Sequence, residues 1–254
     1  MTRAIILAAG RGTRLRQADA GVMPKCLLRF GGQTLLERHL RMLRAGGVDD
    51  IVLALGFRHE QVEAELDRLG WTPRPRIVLN DRYELGSVLT VHTVAGPLAA
   101  GGDVLLMDAD VLYDQRIADA LLRGQGNRLL IDRDFEQGDE PVKLCLKDGV
   151  PVELRKLVAP GLAYDTIGES VGFFRFDETA ARRLAQIVAA YVAAGRAGEP
   201  HEEAVRDLLL EDGRRFAIAD VTGAPWIEID FPNDVTRAGQ EILPRLQPIR
   251  MEAP

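Results

Sequence analysis

Apolar residues in the first half of the chain alternate between short continuous runs and longer stretches with helical spacing. The continuous runs indicate strands buried on both faces, at 4–9, 51–55, 77–79 and 104–107. Between them, apolar side chains recur every three or four residues, which predicts helices over 34–45, 59–69 and 88–98. This strand–helix order predicts an α/β fold with a mainly parallel sheet between two layers of helices.

The second half has a mixed pattern. Strands are predicted over 129–132, 142–147, 152–157, 170–176, 218–221 and 226–229. Helices are predicted over 179–194, 201–210 and 233–243, and the Lys-Asp-Gly sequence at 147–149 suits a hairpin turn. Because neither a repeat nor a linker separates the halves, we expect one domain over 1–254 in which residues 129–254 cover one side of the site.

A glycine-containing turn follows the first predicted strand, in the segment 7–15. Gly10 and Gly12 let backbone amides approach an anion such as a phosphate group. The segment lacks the third glycine of a dinucleotide-binding fingerprint and the Gly-Lys-Ser/Thr of a P-loop. The glycines alone also fit a plain strand-to-helix turn. Arg14 and Lys25 add positive charge nearby, and together they favour a polyphosphate site.

Acidic residues spaced by one position stand at two predicted strand ends. Asp108 and Asp110 follow the fourth strand, and Glu228 and Asp230 follow the last one. Residues two apart on an extended chain face the same side, and ligands of open α/β sheets bind beyond the carboxyl ends of strands. Carboxylate oxygens suit Mg²⁺, although a lone aspartate is equally typical of a helix cap. One acid from each segment is therefore a candidate ligand of one Mg²⁺.

The amino-acid composition of the chain narrows the range of its possible binding partners. The 254 residues include 32 Lys and Arg against 38 Asp and Glu, a net charge of −6, which argues against nucleic acid as a partner. The longest apolar runs are far shorter than the roughly 18 residues of a membrane span, so no membrane association is expected. Two cysteines give no disulfide framework, which predicts a cytoplasmic protein. The oligomeric state stays open, a homodimer included.

These motifs together resemble the nucleotidyltransferase superfamily that includes sugar-1-phosphate nucleotidylyltransferases and cytidylyltransferases. That family opens with a strand, the sequence LAAGxGTRL and a Pro-Lys pair; this chain has LAAGRGTRL at 7–15 and Pro24-Lys25. The acids at 108–110 and 228–230 also match. The resemblance implies a Rossmann-like, three-layer α/β/α fold of the nucleotidyltransferase (GT-A-like) type. It also implies Mg²⁺-dependent nucleotidyl transfer with release of pyrophosphate.

Within the superfamily, the chain looks most like the branch that uses CTP. That branch activates phosphocholine, aminoethylphosphonate, inositol phosphate and similar small compounds. The WIEIDFPND sequence at 226–234 and the compact second half are the grounds for this choice. The resemblance implies that about 1–128 binds the nucleotide and about 129–254 binds the acceptor.

The resemblance also implies roles for individual residues. Arg14 and Lys25 become catalytic residues that neutralise the departing pyrophosphate, and Asp110 and Asp230 become the Mg²⁺ ligands. Nucleotide binding falls to Leu7, Ala9, Gly10, Gly12, Thr13, Gly86, Ser87 and Asp108.

The acceptor pocket is predicted to come from the second half of the chain. Its candidate residues are Arg133, Lys143, Lys156, Tyr164 and Glu169, although Arg133 and Lys156 fit a solvated surface equally well. A cage for a quaternary ammonium group has as candidates Trp226, Tyr83, Tyr164 and Phe173, all of which also suit a core. The histidines within predicted helices, His39, His59 and His201, are expected at the surface.

Two alternatives remain open at this point. One is a sugar-1-phosphate nucleotidylyltransferase that uses another nucleoside triphosphate. The other is a nucleotide-binding regulator without catalytic activity. The combination of Arg14, Lys25, Asp110 and Asp230 argues against the regulator, because a binding module has no need of paired metal-type acids beside phosphate-type cations.

Overall fold

The computed structural model describes residues 2–17 and 23–250. Within them, the strands are β1 (Thr2–Ala8), β2 (Arg29–Phe30), β3 (Gln33–Thr34), β4 (Asp50–Leu55), β5 (Arg76–Leu79), β6 (Asp103–Asp108), β7 (Val111–Tyr113), β8 (Asn127–Ile131), β9 (Lys143–Lys147), β10 (Val150–Arg155), β11 (Thr166–Glu169), β12 (Phe173–Phe176), β13 (Phe216–Asp220) and β14 (Trp226–Glu228). The α-helices are α1 (Leu35–Ala45), α2 (His59–Leu69), α3 (Ser87–Thr93), α4 (Ala95–Ala99), α5 (Gln115–Leu122), α6 (Glu178–Ala193), α7 (His201–Glu211) and α8 (Pro232–Arg237).

Seven strands form the central sheet, in the order β13-β8-β12-β6-β1-β4-β5. Strands β5, β4, β1 and β6 pair in parallel, as do β8 and β13. Strand β12 pairs antiparallel with both of its neighbours, β6 and β8. The predicted mainly parallel α/β sheet is therefore confirmed, and it takes strands from both halves of the chain.

Helices cover both faces of this sheet. Successive residues of its strands point to opposite faces, and the side chains on both faces are apolar. In β6, Val104 and Leu106 pack toward α3, α4, α6 and α7 on one face. Leu105 and Met107 pack toward α1, α2 and α5 on the other. Burial on both sides explains why these strands are continuous apolar runs in the sequence.

Polar side chains fix where several helices begin. The hydroxyl of Thr34 accepts a hydrogen bond from the Glu37 amide, which caps α1. Asp114 caps α5 and Asp177 caps α6 in the same way. Such caps satisfy amide groups that have no partner inside the helix.

Smaller sheets stand beside the central one. Strands β10, β9 and β11 form an antiparallel sheet, with the predicted hairpin turn between β9 and β10. Strand β7 pairs with β14, and β2 pairs with β3. No helix in the described part of the chain has both the length and the apolar character for crossing a membrane.

The structure corrects several predicted boundaries. The helix predicted over 88–98 is two helices that meet at Val94, because Pro97 has no amide hydrogen to donate to the Thr93 carbonyl. The helix predicted over 233–243 ends as α8 at Arg237 and continues as a π-helical turn over 238–242. The strand predicted over 170–176 begins only at Phe173, and β11 before it was not predicted.

Leu106 in the middle of β6 offers a test of how the sheet is stabilised. Its side chain is fully buried, so Leu106→Ala should lower the free energy of unfolding by about 2–5 kcal/mol through lost burial and a cavity. Leu157→Ala removes the same atoms from a side chain that is 64% exposed, and should change it by less than about 0.5 kcal/mol. Urea unfolding measures both; equal losses would contradict this account of the core.

Candidate active site

The carboxyl ends of β1 and β6 lie at the point where the order of the sheet reverses. From β1 the chain continues to β4 and β5 on one side, and then crosses to β6 on the other side of β1. Leu7 pairs with Asp108 at this point. Loops that leave neighbouring strands in opposite directions open a crevice, where ligands of such sheets bind. The predicted nucleotide-binding residues Leu7, Ala9 and Asp108 are therefore all at this crevice edge.

The glycine loop follows β1 directly. Gly10 and Thr13 are exposed, and Gly12 has a φ of +59°, a conformation that favours glycine. A Cβ atom at Gly12 would lie 3.0 Å from Cγ of Lys25. Glycine at this position thus lets the Lys25 stem pass close to the loop.

Pairing of β7 with β14 joins the middle of the chain to its later part. Glu228 stands opposite Val111, and the amide of Ile229 donates to the carbonyl oxygen of Asp110 at 2.9 Å. The Asp234 carboxylate accepts hydrogen bonds from the amides of Asp230 and Phe231, at 2.9 and 2.7 Å. These contacts hold the chain so that Asp230 lies beside Asp110.

Lys25 connects the two predicted metal ligands. Its Nζ donates to Asp110 Oδ2 at 2.8 Å and to Asp230 Oδ1 at 2.7 Å. Burial by itself lowers the pKa of Lys25, but the charges of Asp110 and Asp230 outweigh it, and the net pKa is raised. The ammonium group therefore stays protonated between the two carboxylates.

Glu228 completes a group of three acids that suits a divalent cation. Asp110, Glu228 and Asp230 each offer a carboxylate oxygen, and these oxygens lie within 4.8 Å of one another. Oxygen donors at this spacing fit the ligand preference of Mg²⁺. The sequence had marked the spacing of Glu228 and Asp230, but it did not identify Glu228 as a ligand.

Glu228 of this group and the neighbouring Asp108 both have raised pKa values. Burial, Glu202 and Asp110 raise the pKa of Asp108 well above its ordinary value. Desolvation, Asp110 and Asp230 do the same for Glu228. Glu228 is exposed to solvent, so the neighbouring negative charges contribute more than burial to its raised pKa. The site thus concentrates more negative charge than Lys25 alone neutralises.

Arg14 stands on the same side as Lys25. Its Nη1 donates to Glu140 at 3.0 Å and lies 3.2 Å from Asp230 Oδ2, while the guanidinium lies over the ring of Phe231. Nearly half of the Arg14 side chain is exposed, so its charge faces the crevice opening. The structure therefore brings the predicted pair Arg14 and Lys25 together at Asp230.

Gly86 and Ser87 stand at the start of α3, against the segment that leads into α7. A Cβ at Gly86 would come within 2.6 Å of the Gly198 backbone, so glycine permits a close approach of the two segments. Ser87 Oγ accepts a hydrogen bond from the His201 amide at 2.8 Å. The Nε2 atom of His201 lies 3.9 Å from Asp108.

His201 had been expected at the surface, and that prediction is wrong. The residue is 3% exposed, and His39, also predicted at the surface, is fully buried. The sequence offered no signal for His201, because a histidine at the first position of an amphipathic helix looks the same in either place.

A cleft of about 600 Å³ includes Asp230 in its wall, and its lining residues in the described part of the chain all belong to the second half, between 132 and 245. Three aromatic side chains line it, Phe135, Trp226 and Phe231, together with Arg237 and Arg245. Acidic residues dominate the lining: Asp132, Asp134, Glu136, Asp139, Glu140, Glu169, Glu228, Asp230, Asp234 and Glu241. We call this space the acidic cleft.

The predicted acceptor residues divide between the acidic cleft and its surroundings. Glu169 lines the cleft, and Lys156 reaches its rim by pairing with Glu140 at 3.0 Å. The Lys143 ammonium donates to three backbone carbonyls of segments 138–141 and 156, so it holds the loop rather than facing the cleft. Arg133 pairs with Asp220, and Tyr164 is exposed; neither lines the cleft as the described residues define it.

Glu169 is half-buried in the wall of the acidic cleft. Burial and the charges of Asp132 and Glu136 raise its pKa to about 7, although Lys143 and Lys156 oppose the shift. Asp132 is held next to it by two backbone hydrogen bonds and accepts a hydrogen bond from the Trp226 indole at 2.8 Å. The cleft thus carries a carboxyl group that titrates near neutral pH.

Comparison with known proteins shows which family the chain resembles. The family profile described as the MobA-like NTP transferase domain matches residues 4–163. This range includes the glycine loop, Lys25 and Asp110, while Glu228 and Asp230 lie beyond it.

Two relatives and one solved structure are similar over different shares of the chain. The bifunctional IPC transferase and DIPP synthase of Rubrobacter xylanophilus is 31% identical over 244 residues, which is 94% of this chain and 52% of that protein. The choline-phosphate cytidylyltransferase of Streptococcus pneumoniae is 33% identical over 109 residues, which is 42% of this chain and 44% of that protein. The chain therefore spans about half the length of the relatives that it matches over nearly its whole length.

A solved structure extends the likeness to the fold. The inositol-1-phosphate CTP transferase from T. maritima superposes with a TM-score of 0.74 and 21% identity, covering 96% of each chain. The expected nucleotidyltransferase fold is thereby confirmed.

The raised pKa of Glu169 predicts a pH effect on stability. Between its ordinary pKa of 4.5 and about 7, the folded state binds more protons than the unfolded state, so the free energy of unfolding should fall as pH rises through this window. Glu169→Gln should remove this contribution, at most about 1.4 kcal/mol per pH unit. Urea unfolding between pH 4.5 and 8 measures it. The surface variant Glu60→Gln should keep the wild-type slope, and an unchanged slope in Glu169→Gln would refute the assignment.

Proposed function

Because the chain belongs to the MobA-like NTP transferase domain family, we propose that it transfers CMP from CTP to a small phosphorylated or phosphonate compound and releases pyrophosphate. One observation carries the proposal: a glycine loop, two cations and three carboxylates converge at the crevice edge, next to a cleft large enough for a small acceptor. The cytidylyltransferase name of one relative supports CTP as the donor.

The proposed reaction is a single displacement at phosphorus. An oxygen of the acceptor phosphate or phosphonate forms a bond to the α-phosphorus of CTP, and the bond from that phosphorus to the bridging oxygen breaks. Pyrophosphate leaves with the electron pair of the broken bond. The attacking oxygen is already anionic, so no residue has to remove a proton, and the protein contributes position and charge.

Lys25 and Arg14 have the chemistry to neutralise the phosphates. The charge of Lys25 is compact and mobile on a long stem, whereas Arg14 presents a planar fork that matches two phosphate oxygens. The exposed amides around Gly10 and Thr13 add donors that cost no side-chain ordering. We propose that these groups bind the triphosphate, and that Gly86, Ser87 and Asp108 face the ribose and base.

Asp110, Glu228 and Asp230 are proposed to hold Mg²⁺, since their oxygens are close enough to share one ion. When bound, Mg²⁺ would shield the negative charge between donor and acceptor phosphates. The β7–β14 pairing fixes the backbone positions of Asp110 and Glu228, so these two carboxylates keep a defined place in the site.

The acidic cleft is proposed to bind the end of the acceptor that carries no phosphate. Ten carboxylates against two arginines make a neutral polyol a poor match and an ammonium group a good one. Phe135, Trp226 and Phe231 add aromatic faces that attract such a cation. Phe173, a candidate for the cage in the sequence, is buried against Tyr113 instead. We therefore favour acceptors such as phosphocholine or aminoethylphosphonate.

Other features stay predictions. A single domain with a nucleotide part and an acceptor part, a cytoplasmic location and a homodimer are each compatible with the described structure. Arg133, Lys143, Lys156 and Tyr164 remain predicted acceptor residues, and their positions give Lys156 the best access to the cleft.

The proposed reaction is tested by measuring pyrophosphate release with each nucleoside triphosphate and a panel of acceptors in Mg²⁺. We expect turnover with CTP, and we expect phosphocholine or aminoethylphosphonate to exceed inositol 1-phosphate in kcat/KM by at least about tenfold, because of the charge of the cleft. Preference for inositol 1-phosphate would contradict the acceptor class alone. Preference for UTP or dTTP with hexose 1-phosphates would instead support the sugar-nucleotide alternative, and no release with any pair would leave only the binding regulator.

Substitution of the acids tests the proposed metal ligands. Asp110→Ala and Asp230→Ala should each lower kcat by at least about 10²-fold, because the charge between the phosphates loses its shield. Both variants should keep a cooperative thermal transition, since the two side chains lie at the crevice and not in the core. Asp67→Ala, which removes an exposed carboxylate of α2, is the matched control and should keep the wild-type rate. Near-normal turnover in either crevice variant would contradict the ligand assignment.

A further inference from the structure

The Lys25 ammonium stands where two of the three proposed metal ligands meet. Its distances of 2.8 Å to Asp110 Oδ2 and 2.7 Å to Asp230 Oδ1 are those of strong charged hydrogen bonds. These two residues are also the ones that, with Glu228, offer closely spaced oxygens. The Lys25 ammonium group is therefore hydrogen-bonded to two of the acids that the proposed function assigns to a metal ion.

The ammonium group and a divalent cation exclude each other at this position. Mg²⁺ binds oxygen at about 2.0–2.1 Å, so an ion held by both carboxylates would lie within roughly 3 Å of the present Nζ position. Like charges at that separation repel strongly in a half-buried site. An ion can bind both acids only after Lys25 has turned away from them.

We propose that Lys25 occupies the metal position of the nucleotide-free protein, so that a divalent cation binds there tightly only once a triphosphate has drawn the ammonium group away. This inference rests on the metal site of the proposed function. Lys25 acts here as a substitute cation that keeps Asp110 and Asp230 together and keeps free metal out.

The surroundings of Lys25 give its side chain a second place to go. Its stem passes the glycine loop, where the missing Cβ of Gly12 leaves room beside Lys25 Cγ and Cε. The glycine loop is also the segment proposed to bind the triphosphate, so phosphate oxygens there would offer the ammonium group partners in exchange for the two carboxylates. A lysine side chain has a flexible stem of four carbons, so its ammonium group can move while the first carbons of the stem stay in place.

A binding order follows from this exchange. If nucleotide binding releases the acids for the metal, then metal binding must strengthen nucleotide binding by the same factor. The protein would therefore take up the donor and the metal together, and it would resist occupation by free metal ions.

The test is the affinity of the nucleotide-free protein for Mn²⁺, measured by electron paramagnetic resonance of the free ion. Lys25→Met keeps the length of the side chain but removes its charge, and it should bind Mn²⁺ at least about tenfold more tightly than the wild type. Lys147→Met, which removes a charge that pairs with Asp165 outside the site, should match the wild type. Adding Asp110→Asn to Lys25→Met should abolish the gain.

Arg14→Met distinguishes two explanations of a higher Mn²⁺ affinity: loss of the ammonium group that occupies the metal position, and a general loss of positive charge near the site. Arg14 also lies near Asp230, at 3.2 Å, but it does not bridge the two acids. Its removal should raise the Mn²⁺ affinity by less than a third of the Lys25→Met effect. Equal gains in the two variants, or no gain in Lys25→Met, would overturn the proposal.

Folding of the variant is checked in the same samples. Lys25→Met leaves Asp110 and Asp230 facing each other, so Mn²⁺ should raise its Tm more than that of the wild type; an equal rise would count against the proposal. If Lys25→Met does not fold, Lys25→Gln is judged by the same criteria. Because Mn²⁺ affinity is measured without nucleotide or acceptor, absence of CTP turnover would reject the proposed function and leave this result standing on its own.

Discussion

Pairing between β7 and β14 is the constraint on which the candidate site depends. Lys25 and Asp110 belong to the first half of the chain, while Glu228 and Asp230 arrive with the last strand. The register of this pair sets Glu228 opposite Val111 and brings the Ile229 amide to Asp110. A slip of one residue would turn the late acids to the opposite face of the ribbon, and the three carboxylates would no longer share one point.

The central sheet could be predicted from the pattern of apolar residues, because that pattern has a local physical cause. Strands buried on both faces must be apolar throughout, and helices on the sheet must repeat every three or four residues, so β1, β4 and β6 were visible without a structure. Strand β11 was not visible, because it contains two polar residues and a glycine and owes its form to β9. The π-helical turn after α8 likewise depends on packing and not on its own sequence.

The site was predictable where a motif and its chemistry coincide, and unpredictable where tertiary contacts decide. Arg14 and Lys25 were named from their charge beside the glycine loop, Asp110 and Asp230 were selected by the family resemblance, and the four residues do meet. Arg133 was named by charge alone, and Asp220 pairs with it outside the cleft. The acidic character of the cleft was not foreseen, since its residues come from three separated parts of the chain, 132–141, 169 and 223–245, whose facing sides only the fold determines.

The order of strands along the chain has a consequence for synthesis. The last strand of the central sheet, β13, ends at Asp220, whereas Glu228 and Asp230 are added after it. A domain that folds as it leaves the ribosome can therefore assemble its whole central sheet while two of the three proposed cation-binding side chains do not yet exist. During that interval Asp230 is not yet present to share Lys25 with Asp110. The proposed site is thus completed only after the central sheet, by the short β7–β14 ribbon beside it.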